Sequence, residues 1–226
     1  MPFVDSPTEQ TTALTDAILA GLALGCLWYL RRIAHHQPWK ANVWSWVMAL
    51  LALAAALGAF VHGFKLPVKL FKLLWNVLYL SLGLTVALFV VAVIHDVWGA
   101  RPARRALPVM LAVGCAFFGM TLLFPGSFLV FIIYEIVAML FALIAYGWLA
   151  FNHRLRGAGW MTAGILITII AAGVQASEAA SLTLIWQFDY NGLYHLIQMA
   201  GLVALLVGLR IDLQSQRLPV ELPPRK

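Results

Sequence analysis

The stretch FDYNGLYHLIQMAGLVALLVGLR, Phe188 to Arg210, decides the fold. Most of it could dissolve in a bilayer, and it has the length, about 20 residues of helix, that a hydrocarbon core requires. Yet Asn191, His195 and Gln198 recur four and three residues apart, which on a helix places all three on one stripe. Costly polar groups at membrane depth face the bundle interior or a wet cavity. The stretch therefore predicts a membrane helix whose polar edge looks inward, toward partner helices.

Six further apolar blocks precede it, at about 13–30, 43–63, 72–94, 106–124, 127–151 and 159–177, with the last span at 191–211. Of the 226 residues, 63% are hydrophobic and 11% charged, against roughly 25% charged in soluble domains. The fold class expected is all-α: a polytopic integral membrane protein built as a seven-helix bundle. Breaks fall at HHQPWK, RPARRALP, FPGS and NHRLRGAG, where Pro and Gly stop helices cheaply. Domain limits follow as an N-terminal tail (1–12), the helical domain (13–211) and a Pro-rich tail (212–226).

The opening MPFVDSPTEQTT has no Lys or Arg, unlike a signal peptide, and positive charge follows the first block instead. With the N-terminus outside, the inner segments hold Arg31, Arg32, Lys40, Arg101, Arg104, Arg105, Arg154, Arg156, Arg210, Arg217, Arg225 and Lys226. Only Lys65, Lys69 and Lys72 remain for the outer ones. The positive-inside rule thus sets the C-terminus in the cytoplasm, in a bacterial inner membrane. The same rule accounts for the net charge of +6 without a nucleic-acid partner. Cys26 and Cys115 lie within spans, without metal-ligand spacing, and are expected as small buried hydrophobes.

Depth counting at 1.5 Å per residue brings several polar groups to one level. His62 ends the second span, Gln175 and Glu178 end the sixth, His195 enters with the seventh, and Asp16 begins the first. Together with Asn191 and Gln198 they are expected to line an outward-opening cavity. Imidazole and carboxylate are ligands for transition metals, zinc first, and a zinc-bound water could act as nucleophile with Glu178 or Asp16 as base. The same groups serve equally as interhelical hydrogen-bonding glue, or as a ligand pocket without chemistry. Glu135, near mid-membrane, is expected to be protonated or hydrogen-bonded, and His95–Asp96 to anchor the inner interface. Lys65, Lys69 and Lys72, with apolar residues between them, read as a helix lying on the outer surface beside anionic membrane lipids.

At YNGLYHLIQMAGL, with His62 in GAFVHGF, the chain resembles the CREST superfamily of seven-span membrane hydrolases and their relatives, among them alkaline ceramidases, progestin and adipoQ receptors and myomaker-like proteins. It is similar also to an uncharacterised bacterial seven-span family with a Gly-x-x-x-His-Gly second helix and an Asn…Tyr-His last helix. The CREST resemblance implies zinc held by His62 and His195, with Asn191 where a further histidine would stand and Gly58 where a serine would stand. Two functions follow from these residues. One is an integral membrane protein that binds a lipid or membrane partner without catalysis, through Asn191, Gln198, Gln175 and the three lysines. The other is a zinc-dependent hydrolase of a lipid amide or ester. The seventh span has no Lys, which excludes a retinal Schiff base.

Overall fold

Apolar blocks without internal polar relief become helices in a bilayer, because every backbone N–H and C=O must be satisfied within its own segment. The computed structural model of the chain describes residues 1–33, 37–124, 129–177, 179–183 and 185–215. The helices are α1 (Pro7–Ile33), α2 (Pro38–Gly63), α3 (Val68–Trp98), α4 (Ala100–Leu123), α5 (Leu129–Phe151), α6 (Ala158–Ala176) and α7 (Tyr190–Gln214). All 7 are long and apolar enough to cross a membrane. A two-residue hairpin, β1 (Leu182–Thr183) with β2 (Gln187–Phe188), joins α6 to α7.

The helices follow one another round a ring. α1 packs on α2, α2 on α3, α3 on α5, α5 on α6, α6 on α7, and α7 closes on α1, with α4 laid outside α3. The outward faces stay apolar, as at Leu24, Val109, Ile133, Ile144, Ile170 and Val203, all exposed. Such a surface suits hydrocarbon as solvent, where association depends on close packing and small residues. The α6–α7 seam shows this: a Cβ on Gly164 would come within 2.8 Å of the Gly201 carbonyl, and one on Gly208 within 2.7 Å of the Gly157 carbonyl. Those two helices touch backbone to backbone.

Element limits differ from expectation in three places. α1 begins at Pro7, and the residues before it are strapped down: Val4 N–H donates to the Gly63 carbonyl (3.0 Å), Lys65 N–H to that of Pro2 (3.0 Å), and Phe3 stacks on Phe64. RPARRALP is helix and not a loop, with Gly99 alone (φ 88°) separating α3 from α4. Pro102 lies in the first turn, where its missing N–H costs nothing, and Pro108 is carried inside the helix. Finally, α7 runs to Gln214, so Asp212 is a buried helical residue and not part of a tail. The histidines His35 and His36 lie outside the described residues, as do Pro125, Gly126 and Ser127 of the FPGS turn.

Candidate functional site

On α1 the run Thr8, Thr11, Thr12, Thr15 and Asp16 follows helical spacing of three, four, seven and eight, giving one polar stripe. That stripe faces the hairpin and α7. Thr11 Oγ1 donates to the Gln187 carbonyl (2.8 Å), and Thr12 Oγ1 to Asp189 Oδ1 (3.0 Å). Asp189 is also the N-cap of α7, accepting from the Gly192 N–H at 2.9 Å. One carboxylate therefore starts the helix that carries His195 and ties it to α1. Asp189→Ala should lose about 1–2 kcal/mol as a cap alone. Thermal unfolding in detergent will register that loss, while Asp189→Asn, which caps equally well, should leave most of the stability in place.

One turn deeper, His195 meets α1 through both ring nitrogens: Nδ1 lies 3.0 Å from Thr15 Oγ1 and Nε2 lies 3.3 Å from Asp16 Oδ1. Thr15 donates its single hydroxyl proton to the Thr12 carbonyl (2.9 Å), so toward the imidazole it is an acceptor and Nδ1 carries the hydrogen. Through Nε2 the same ring stands at ion-pair distance from the Asp16 carboxyl group. The far side of that carboxylate rests on Gly58. A Cβ there would stand 2.5 Å from Asp16 Oδ2. Glycine occupies the position because the Asp16 carboxylate fills the space of a side chain.

At the rim, His62 Nδ1 pairs with Glu9 Oε2 at 2.7 Å, and its ring stands edge-on to Trp75. Gln175 Nε2 donates to Asn191 Oδ1 (3.1 Å), while Gln175 Oε1, buried, has no hydrogen-bond partner among the described residues. These groups share a cavity of about 1340 Å³, lined by Glu9, Asp16, Leu19, Leu51, Gly58, His62, Lys72, Asn76, Leu78, Leu82, Phe131, Gln175, Asn191, Tyr194 and His195 among others. Tyr194 of the cavity wall neighbours the buried Glu135 of α5, whose Oε2 has no hydrogen-bond partner among the described residues.

The structure brings Asp16, His62, Gln175, Asn191 and His195 to one cavity. Gln198 is buried on α7 and is not among the cavity-lining residues. The three lysines form no separate surface helix: Lys65 precedes α3 and pairs with Asp5 (2.5 Å), Lys69 and Lys72 occupy the first turns of α3 itself, and of the three Lys72 alone lines the cavity. The helix forms there because the following apolar block propagates back over the lysines to Pro67, whose ring sets the start. Glu178 lies outside the described residues. Among the described residues no group of three His, Cys, Asp or Glu is placed to hold a metal ion. Both nitrogens of His195 are engaged by α1, so the residues present do not fit the zinc site that the CREST resemblance implies. Sequence reasoning passed over Glu9, Thr12, Thr15 and Asp189, although the spacing of TTALTD holds the signal for the threonines.

A model of a family of unknown function, DUF6962, matches residues 11–214. The chain belongs to that family. No curated protein and no solved structure matches it. The DUF6962 match covers every residue of the cavity wall except the Glu9 rim.

Proposed function

We propose that this DUF6962 protein binds an amphiphilic membrane lipid in the cavity, head group at the rim and chain toward the floor, without a metal. The polarity gradient along α2 carries this reading. Its lining residues pass from His62 at the rim through Gly58 and Ala55 to Leu51, 11 residues and roughly 16 Å deeper. On α3 the polar lining residues Lys72 and Asn76 likewise lie on the rim side of Leu78 and Leu82, with Val68, Phe71 and Trp75 beside them. An apolar floor gains by covering itself with hydrocarbon, and the volume exceeds the roughly 300–1,000 Å³ of small-molecule pockets. The arginine-rich helix ends lie opposite the rim, so by the positive-inside rule the cavity opens outside the cytoplasmic membrane of a bacterium.

The test is lipid retention. Protein purified in mild detergent is extracted, and the lipid bound per chain is identified by mass spectrometry. We expect a defined species in the wild type and at least a tenfold loss, about 1.4 kcal/mol, in a Leu51→Trp, His62→Leu variant whose floor is filled and whose rim is apolar. Identical, unselective lipid in both proteins would remove the proposal.

A further inference from the structure

A second polar cluster lies at the other end of the bundle, about 22 residues of α2 and roughly 33 Å from His62. Lys40 Nζ pairs with Asp96 Oδ1 of α3 at 2.5 Å and with Asp212 Oδ2 of α7 at 2.6 Å. Tyr146 of α5 donates to the second oxygen of Asp96 at 2.8 Å. The side chains of all three charged residues are buried, that of Lys40 to 1% exposure. Lys40 was expected as an inner-face cation, Asp96 as an interface anchor and Asp212 as the start of the tail, so the cluster is a correction as well as a finding.

Its placement is informative. The helices it joins, α2, α3, α5 and α7, all contribute to the cavity wall at the rim end. If cohesion were the only requirement, packed apolar side chains would do as well, since replacing buried ion pairs with them is often neutral or stabilising. Ionic and hydroxyl contacts differ in being exchangeable for water when helices part. Backbone contact holds α6 to α7, so Asp212 would move with that pair as a unit.

We propose that this chain carries its cavity ligand between the two membrane faces, with Lys40, Asp96 and Asp212 forming the gate at the arginine-rich face. This rests on the cavity reading above. In the described state the rim is open and the gate shut; parting of α7 from α2 and α3 opens the floor to the other side.

The experiment uses the full chain in proteoliposomes of determined orientation, with Cys26→Ala, Cys115→Ala and a reporter at Leu51→Cys, midway between rim and gate. A membrane-impermeant maleimide is applied to one face at a time. We expect fast labelling from the rim face, slow but measurable labelling from the arginine-rich face, and about tenfold faster labelling from that face in Asp212→Asn, where Lys40 and Asp96 remain a balanced pair. Labelling from the rim face alone, in both proteins, overturns the gate and leaves the cavity standing. Labelling from neither face overturns the cavity and the gate together. Should Asp212→Asn fail to fold, the parent reporter decides alone: without labelling from the arginine-rich face the gate is refuted.

Discussion

Lys40→Met should be the most damaging single substitution in the protein. Methionine matches the length of the lysine stem but removes the ammonium that faces Asp96 and Asp212. Two carboxylates would then share a site from which water is excluded, with Tyr146 donating to one of them. Removing one partner of a buried ion pair costs about 3–5 kcal/mol, and here two acids lose the same partner. At about 2–4 °C per kcal/mol for a chain of this size, the melting temperature in detergent should fall by roughly 10 °C or more. Converting both acids as well, in Lys40→Met, Asp96→Asn, Asp212→Asn, should recover most of the loss, because no unpaired charge remains. A Lys40→Met protein that melts with the wild type would show that the ammonium contributes nothing to the fold.

The second large effect is expected at Gly58. An exposed helical glycine such as Gly25 has nothing within 4 Å of a Cβ, so Gly25→Ala should stabilise by up to about 1 kcal/mol through helix propensity. Gly58→Ala should have the opposite sign, because its methyl group meets the Asp16 carboxylate. Gly58→Leu goes further: overpacking costs about 1–3 kcal/mol, and Asp16 must leave Nε2 of His195 to make room. The imidazole then loses its carboxyl neighbour and the cavity loses its middle section. Lipid retention and thermal stability should fall together in Gly58→Leu, whereas Gly25→Ala keeps both. Equal behaviour of the two alanine variants would refute the close packing of Asp16 against α2.

Seven apolar blocks were legible because each has about the length of a membrane span, and the structure places a helix on every one. Polar groups near the rim were legible too, since counting 1.5 Å per residue from each span end puts His62, Gln175 and His195 at similar depth. Their pairing was not. His195 meets Thr15 across 180 residues, and Lys40 meets Asp212 across 172. No local pattern records such a distance. Lys40 misled for a definite reason: a cation just before an apolar block is what the positive-inside rule expects of a loop, and only the position of α7 reveals it as buried. The lysines near α3 misled in the opposite way, as their amphipathic spacing is equally that of a surface helix and of the first turns of a span.

The hydrogen bonds that Val4 donates to Gly63 and Pro2 accepts from Lys65 make the first residues a belt across the cavity rim. Glu9, which grips His62, follows only a few residues later. An affinity tag fused ahead of this belt would tug on the very histidine whose behaviour is being assayed. Handles for purification and for surface immobilisation therefore belong at the far end of α7, where Ser215 stands at the opposite pole from His62.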